Sequence, residues 1–564
     1  MFKENSQPEL FSFESDLPKK MQDKLNNTQE KAFYHLIFRN IKEDDYKVLY
    51  SDVASRPNTP VNILVAAIVL KERKAWSFDE LIGHIMFDLR AKTAFGLAQI
   101  DKMPFSRATI FNFQKRLEDY QISTGVNLLE TTFDHLTSEQ LEEVKIKTDI
   151  QRSDSTQTSS NIRKYSRVQL LIEIILRLYK TLEDGDKEKL SEKIVAYSKL
   201  GSLKYVYALK PKDLTHELEK LGKFYSLMLE ELKEKYVDSK TYKNFERVYK
   251  EHFTIVENAT MIKPNSELHS GILQSPDDED GTYRKKNGKE SRGTTINATE
   301  TANPKNEIQL ITDIDVNKNN VDDSKILESK IDRIKEKTPD LNEMHTDGGY
   351  GSKGLDEKME KHEITHITTA VKGRQSEVDI TIIQNSENED EYTVKCPKQN
   401  IKSDRTKKKN KAHFEIEKCN YCPLKEKCSI FKNRGNYYFT HSDFLKNERN
   451  KNILKIPYER RKIRPNVEAT MQEFKTKTKN GKLKIRGNFK TSLFAYAMGI
   501  SINFGRIYRL LAEKGLDFIH YLTITNTCLF RFVFLFLSSQ NTGIQNRKYF
   551  YFNKNPILTR FNFH

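Results

Sequence analysis

Three acidic residues lie where separate parts of the chain could bring carboxylates together. Asp154 stands in the segment DST, Asp347 in DGGY, and Glu468 in a segment that begins near Pro465. Carboxylate oxygens are hard ligands that suit Mg²⁺, and two divalent ions about 3.5–4 Å apart can promote in-line displacement at phosphorus. We therefore expect Asp154, Asp347 and Glu468 to hold two Mg²⁺ or Mn²⁺ ions for phosphodiester chemistry.

Other acids nearby leave alternatives open. A single aspartate after a strand is usually a turn or cap residue, so the interpretation depends on the three acids together. Asp149 is the alternative to Asp154, and Glu473 is the alternative to Glu468. Asp313 and Asp315 are alternatives for the cluster in general.

The elements that would position these acids follow a definite order. A strand after residue 145 ends near Asp154, and a two-strand hairpin is predicted for TTINATETA and IQLITDIDV. A helix follows in VDDSKILESKIDRIKE, then a strand ends at Asp347, a further strand lies in ITHITTAV, and a helix starts near Pro465. This is the order of an RNase H-like core. We expect an α/β fold with a mixed sheet flanked by helices.

Composition changes along the chain divide it into five parts. Apolar helical periodicity, a polar charged loop at 270–293 and a lysine-rich stretch with four cysteines set the boundaries. The predicted parts are an all-helical N-terminal DNA-binding domain (1–140), the first part of the catalytic core with a helical insertion after the first strand (141–371, insertion 162–260), a Lys/Cys-rich insertion (372–440), the C-terminal part of the core (441–515) and an aromatic-rich tail (516–564).

The sequence of the N-terminal part predicts a DNA-binding domain. VNILVAAIVLKERK (61–74) reads as an apolar helix, and Ser77 with Glu80 forms a capping-box pattern before the next helix. The helix in TIFNFQKRLEDY then carries several polar and basic residues, as does the DNA-contacting helix of a helix-turn-helix. Its candidate DNA-binding residues are Asn112, Gln114, Lys115 and Arg116. The alternative is an ordinary helical bundle with a solvated face.

The chain has an excess of basic residues. The 564 residues include 95 Lys and Arg against 79 Asp and Glu, a net charge of +16. This excess favours a polyanionic partner, although it could also serve solubility alone. Basic stretches occur at 405–411 and 475–490, and for the second, phosphate contact is the expectation.

The chain shows no secretory or membrane signal. Five cysteines cannot form a disulfide framework, which predicts a reducing compartment. MFKENSQPEL lacks the apolar stretch of a signal peptide. The longest apolar run, 528–537, is interrupted by Arg531 and is too short to span a bilayer. We expect a cytoplasmic protein without a membrane partner.

Four cysteines have a spacing that suits zinc. Cys396, Cys419, Cys422 and Cys428 give C-x22-C-x2-C-x5-C, and the C-x2-C step is a common zinc-binding element. His413 could replace Cys396 as a ligand, and free thiols in a polar loop remain an alternative. The fifth cysteine, Cys528, lies in an apolar run and is expected in a core.

The chain resembles insertion-sequence DDE transposases over about residues 1–515. The resemblance rests on DSTQTSSNI, SPDDEDGTYRKKNGK, TDGGYGS, IRPNVEATMQEFK and KLKIRG. The N-terminal segments RPNTPVNILVAAIVL and PFSRATIFNFQKRL are similar to the domain that binds transposon ends in these enzymes.

The resemblance assigns roles to several residues. Asp154, Asp347 and Glu468 match the DDE acids. Arg464, Glu468 and Lys475 match the R-x3-E-x6-K part of the family's Tyr-Arg-Glu-Lys signature, whose Arg and Lys contact terminal phosphates. The signature tyrosine would fall at Arg461, and the nearby Tyr458 is out of register. Tyr350 matches a family tyrosine that lines the active site.

The implied activity is transposition. The enzyme would nick at the element's ends, and the freed 3′-hydroxyl would attack target DNA. The implied partners are double-stranded DNA, in the form of terminal inverted repeats and target, and a second copy of the chain in a homodimer on DNA at the nucleoid. Alternatives are an inactive transposase-derived DNA-binding protein and an RNase H-like nuclease. The tail lies beyond the resemblance and is either a β-rich extension or read-through from an altered frame.

Overall fold

The structure is a computed structural model of the 564-residue chain. It describes residues 1–5, 12–51, 53, 57–257, 259–286, 288–370, 377–385, 388, 391–406, 409–455, 463, 465–476, 478 and 482–514. The predicted tail and Cys528 lie outside these residues. No helix within the described ranges has the length and apolar character needed to cross a bilayer.

The N-terminal part is built from helices. The predicted capping box is confirmed, because Ser77 accepts a hydrogen bond from the backbone of Glu80 while the Glu80 side chain bonds back to Ser77. A second capping box, at Ser106 and Thr109, begins the helix that carries the DNA-binding candidates. The helices are Phe13–Asp16 (α1), Lys19–Asn26 (α2), Gln29–Leu36 (α3), Val61–Lys74 (α4), Phe78–Phe87 (α5), Leu89–Ala94 (α6), Arg107–Thr124 (α7) and Leu128–Glu143 (α8).

A helical insertion follows the first strand, β1 (Ile150–Ser159). Its helices pack around an apolar core that includes Leu171, Tyr225 and Phe245. The sequence predicted the helices, whereas the short hairpin that closes the insertion was not foreseen. The elements are Arg167–Thr181 (α9), Asp184–Ala208 (α10), Leu214–Tyr236 (α11), Lys240–His252 (α12), Phe253–Val256 (β2) and Ala259–Ile262 (β3).

The next segment completes the main sheet. Part of the predicted polar loop at 270–293 is instead a strand, which pairs in a tight hairpin with the strand after it. The predicted helix at 321–336 is confirmed, and its apolar residues Ile326, Leu327, Ile331 and Ile334 are buried. The elements are Thr282–Lys286 (β4), Lys289–Thr301 (β5), Ile311–Lys318 (β6), Asp323–Lys337 (α13), Glu343–Thr346 (β7), Lys353–Lys361 (α14) and Thr365–Thr368 (β8).

The Cys-containing region and the C-terminal helices follow. The Cys-containing region includes two small three-stranded sheets, and the helix predicted to begin near Pro465 is confirmed. The elements are Thr381–Gln384 (β9), Tyr392–Lys395 (β10), Asn400–Lys402 (β11), Asp404–Arg405 (β12), Asn410–His413 (β13), Ile416–Asn420 (α15), Ser429–Lys432 (α16), Asn436–Phe439 (β14), His441–Lys455 (α17), Pro465–Thr476 (α18) and Asn488–Glu513 (α19). Short 3₁₀ turns lie at Phe38–Asn40, Glu43–Leu49, Pro211–Asp213, Asn265–Glu267, Gly348–Tyr350 and Lys425–Lys427.

The main sheet is mixed. Its strands run in the order β4-β5-β1-β7-β8, and β6 pairs with β5 as well. β5 is antiparallel to β1 and β6, whereas β1, β7 and β8 are parallel to one another. The architecture is therefore α/β, as the sequence predicts.

One apolar core joins the N-terminal helices to the sheet. It includes residues of α4, α8, β5, β6, α18 and α19. Helix α19 comes very close to its neighbours at Gly499, where a Cβ would lie 2.3 Å from Ile314 Cδ1 and 3.0 Å from Phe133 Cε2. A larger residue at position 499 would therefore require the Ile314 side chain to move.

Candidate active site

Asp154 and Asp347 both lie just beyond the parallel pairing of β1 with β7. The parallel pairing ends at Arg152 opposite His345. Asp154 and Asp347 each lie two residues further along, so continuation of the same register sets them opposite one another. Since residues two apart on a strand share a face, Asp154 faces the same side of the sheet as Arg152.

Asp154 lies within β1, not at its end. The prediction that the strand ends near Asp154 is wrong, because β1 continues in antiparallel pairing with β5 as far as Ser159. The Asp154 side chain is buried, and its Oδ1 accepts a 2.8 Å hydrogen bond from the Ser155 backbone N–H. Its cross-strand neighbour on β5 is Ala298, a small residue.

Asp347 follows β7 directly and begins a tight turn. Its Oδ1 accepts a 2.8 Å hydrogen bond from the Gly349 N–H, as an N-cap residue does. A Cβ at Gly348 would lie 2.7 Å from the backbone oxygen of Ala370. The first glycine of DGGY therefore allows a backbone approach that fixes where the Asp347 carboxylate lies.

Tyr350 lies in the turn that Asp347 begins, and its side chain is fully buried. Its hydroxyl accepts a 2.7 Å hydrogen bond from Asn297 Nδ2. Burial raises the pKa of Tyr350 well above its usual value, and the nearby charges of Asp323, Asp154 and Asp347 add to this. The phenol is therefore neutral and lies within electrostatic range of both predicted site acids.

Helix α18 brings Glu468 to the face of β1 that carries Asp154. The Arg152 guanidinium donates a 2.6 Å hydrogen bond to the backbone oxygen of Ile463, just before the helix. Val467, beside Glu468, is fully buried, whereas Glu468 itself is exposed. The three predicted acids thus lie within β1, directly after the neighbouring strand β7, and on a helix that packs against β1.

The three acids do not form a complete metal-binding site. Within the described ranges, no three histidine, cysteine, aspartate or glutamate side chains are close enough together to hold a metal ion. The donor chemistry nevertheless fits Mg²⁺, because carboxylates supply hard oxygen ligands and this ion usually keeps some water and phosphate ligands.

The alternative acids have other contacts. Asp313 is fully buried and lies 3.0 Å from Lys330 Nζ, in a network that also includes Arg333 and Lys337. These positive charges lower its pKa, although burial acts in the opposite direction. Its role is to join β6 to α13.

The remaining alternatives are held in local hydrogen bonds or ion pairs. Asp149 Oδ1 accepts from Asn303 Nδ2 at 2.7 Å. Asp315 accepts from the Val316 N–H at 2.9 Å. Glu473 lies 3.4 Å from an Arg506 nitrogen, on the side of α18 that faces α19.

The four cysteines line one small cavity. Cys396, Cys419, Cys422 and Cys428 surround a space of about 20 Å³, and none of them is in a disulfide. Burial raises the pKa of the Cys419 thiol, and the three other thiols raise it further. His413 is absent from the cavity lining and instead contacts Asn436 at 3.0 Å.

Comparison with known proteins finds a similarity for one C-terminal segment of the chain. Residues 390–508 match the model of a protein family described as a transposase DDE domain. This segment is therefore similar to the DDE domain of transposases. No curated protein matches, and no solved structure matches.

The transposase match includes Glu468, Lys475 and the four cysteines. Asp154 and Asp347 precede it, so their assignment rests on strand register and the nearby helix. Lys475 lies two helical turns beyond Glu468 on α18 and is half-buried. Arg464, Arg461 and Tyr458 lie outside the residues that the structure describes.

The residues predicted to bind DNA lie on α7. Asn112, Lys115 and Arg116 are exposed, whereas Gln114 is half-buried. The Arg116 guanidinium lies 5.0 Å from the centre of the Tyr50 ring, so this side chain is held in place by a cation–π contact.

The sequence did not indicate the buried polar residues around the acids. Arg152, Glu300 and Asp323 are all buried, and each contacts an element that carries a site residue. Of these three residues, only Arg152 stands out in the sequence, because it is a charged residue between the uncharged residues that begin β1.

Proposed function

We propose that this chain is a DNA transposase that binds insertion-sequence ends and carries out metal-dependent strand cleavage and strand transfer. The observation that carries the proposal is the parallel pairing of β1 with β7, which ends two residues before both Asp154 and Asp347. The helix of Glu468 packs on the face of β1 that carries Asp154. The strands run in the order β6-β5-β1-β7-β8, in which β6 is antiparallel to β5 and β5 is antiparallel to β1. This arrangement supports an RNase H-like core.

Asp154, Asp347 and Glu468 would hold two Mg²⁺ or Mn²⁺ ions. When bound, these ions activate the attacking oxygen and stabilise the leaving oxygen at phosphorus. The chain's own part is positioning: the β1–β7 register fixes two carboxylates, and α18 supplies the third. Arg464 and Lys475 would contact the terminal phosphates of the element's end, where their positive charges orient the strand.

The N-terminal helices would recognise the ends. Asn112, Gln114, Lys115 and Arg116 on α7 are proposed to contact terminal inverted repeats, and the basic segment 475–490 the backbone of end or target DNA. The net charge of +16 supports a polyanionic partner. The enzyme would act as a homodimer on chromosomal DNA in the cytoplasm.

The deciding experiment uses linear DNA that contains both ends of the element that encodes this chain. Purified full-length protein is incubated with this DNA, a target plasmid and Mg²⁺ or Mn²⁺, and products are resolved on denaturing gels. We expect nicks at the element's ends and joined products with the target. Nicks without joining would favour a nuclease, and binding without nicks would favour an inactive DNA-binding protein; either would contradict the proposal.

We also propose that Cys396, Cys419, Cys422 and Cys428 bind a structural Zn²⁺. The support is that four cysteines line one cavity, and four thiolates are a common ligand set of structural zinc. The ion would draw the thiolates together and stabilise the small sheets around them.

Metal analysis of untagged protein tests the zinc site. We expect about one zinc per chain, and its loss in a Cys419→Ser, Cys422→Ser double variant. Cys528→Ser is the matched control and should keep its zinc. Wild-type protein purified without zinc, and unable to take it up on addition, would contradict the assignment.

A further inference from the structure

A fully buried carboxylate joins the strand of Asp154 to the helix of Glu468. Glu300, on β5, has no exposed surface. Its Oε1 accepts a 2.7 Å hydrogen bond from Arg152 Nε on β1. Its Oε2 accepts from Thr470 Oγ1 on α18 at 2.8 Å and from Arg506 Nη1 on α19 at 2.7 Å.

The contacts are arranged around α18. Thr470 is itself buried, and its hydroxyl also accepts a 2.6 Å hydrogen bond from Arg506 Nη2. Arg152 holds the backbone just before the helix through Ile463. The helix is therefore fixed near its beginning and at its middle, on either side of Glu468.

The strand side of the network is just as close to the site. Arg152 precedes Asp154 by two residues and lies on the same face of β1. A displacement of α18 relative to Glu300 would therefore change the separation between Glu468 and Asp154 directly.

Stability alone is a poor reason for such a network. Burying charged groups is costly, and apolar residues of similar volume are often as stabilising as a buried ion pair. Such a network does fix geometry, because each hydrogen bond has a narrow range of distance and angle. Metal sites that lack this support from surrounding residues lose affinity.

We infer that Glu300, Arg152, Thr470 and Arg506 are positioning residues that set where Glu468 lies relative to Asp154. This inference rests on the proposed function, since it concerns the same metal site. None of the four residues needs to touch DNA or metal for this role.

The sharpest test changes Thr470, because replacing Glu300 or Arg152 would leave a buried charge without its partner and could prevent folding. Thr470→Val keeps the shape and removes the hydroxyl, whereas Thr470→Ser restores it. Thr132→Val is the matched control: Thr132 is buried on α8, and its hydroxyl contacts Tyr46 at 2.6 Å and belongs to none of the contacts of Glu300 described above. Mn²⁺ affinity of each full-length protein is measured by titration calorimetry, with Asp154→Asn to identify the heat of this site.

We expect Thr470→Val to bind Mn²⁺ about 10-fold more weakly than wild type, with Thr470→Ser and Thr132→Val close to wild type. The Mg²⁺ concentration for half-maximal DNA cleavage should rise in parallel. A purely structural role would lower the melting temperature of both valine variants and leave Mn²⁺ affinity unchanged, which would overturn the inference. Wild-type protein that fails to bind Mn²⁺ at Asp154 would instead remove the proposed function, and the inference with it.

Discussion

The side-chain amide of Asn297 donates a 2.7 Å hydrogen bond to the hydroxyl of Tyr350. Both residues are fully buried, and they lie on the side of β1 opposite to that of Asp154. We therefore expect Tyr350 to support the turn after Asp347 by packing, from the side of β1 away from Asp154. This separates a packing role for Tyr350 from a chemical one.

Tyr350→Phe should lower the free energy of unfolding by about 1–3 kcal/mol, because the buried Asn297 amide loses its acceptor. Cleavage of end DNA at saturating Mg²⁺ should stay within about 10-fold of wild type, a change consistent with indirect support. Urea unfolding and a gel assay measure the two quantities. Loss of all cleavage in a folded Tyr350→Phe protein would show that the hydroxyl takes part in the chemistry.

Removing the charge of any one site acid should abolish cleavage. Asp154→Asn, Asp347→Asn and Glu468→Gln each keep the side chain's shape but weaken a ligand to the divalent ions. We expect cleavage rates to fall by more than about 100-fold, beyond the loss typical of outer-shell partners. Binding to end DNA, measured by gel shift, should be unchanged.

Asp315→Asn is the matched control for these variants. Asp315 is a half-buried acid in the same sheet that accepts hydrogen bonds from the Val316 N–H and from Asn317. An asparagine can still accept one of them, so cleavage should continue at nearly the wild-type rate. If Asp315→Asn also lost cleavage while one of the three site variants kept it, the acids would have to be reassigned.

Local signals in the sequence predicted the elements that carry Asp347 and Glu468. The Gly-rich turn after β7 and the proline at the beginning of α18 are patterns within a few residues. Asp154 was placed wrongly at a strand end because serine and threonine after it resemble a loop. In the structure Thr156 and Thr158 are buried and Ser155 and Ser159 are half-buried, and pairing with β5 keeps the segment extended.

The network around Glu300 could not be predicted from the sequence. Its partners Arg152, Thr470 and Arg506 are far away along the chain and belong to three other elements. A glutamate within a strand is ordinarily taken as exposed. Only the packing of β1, α18 and α19 around one point shows that this glutamate is buried and paired.

End binding should depend steeply on salt, and Lys115 should account for part of this. Each lysine that neutralises a phosphate contributes about one unit to the slope of log K against log salt. Lys115→Ala should therefore reduce the slope by about 1, measured by fluorescence anisotropy from 50 to 200 mM salt. Lys193→Ala, an exposed lysine on the helical insertion, is the control and should keep the wild-type slope. Equal slopes for all three proteins would place DNA elsewhere than on α7.

The helical insertion should lose stability in mild acid because of His252. This side chain is buried, and Arg167 Nε donates a 3.1 Å hydrogen bond to its Nδ1. Burial lowers the pKa of His252 to about 3, and the charges of Arg167 and Lys263 add to the effect.

The sign of the pH dependence follows from proton uptake. Below about pH 6.5 the unfolded chain binds a proton at His252 and the folded chain does not. The free energy of unfolding therefore decreases as the pH is lowered from about 6.5 to about 3. At pH 5 the loss relative to neutral pH is about 2 kcal/mol. His252→Gln removes this titration, so its urea midpoint, followed by circular dichroism, should change less between pH 7.5 and pH 5 than that of wild type. His216→Gln, at a side chain that is 84% exposed, should behave as wild type. An equal loss in wild type and His252→Gln would show that His252 takes up its proton in the folded state.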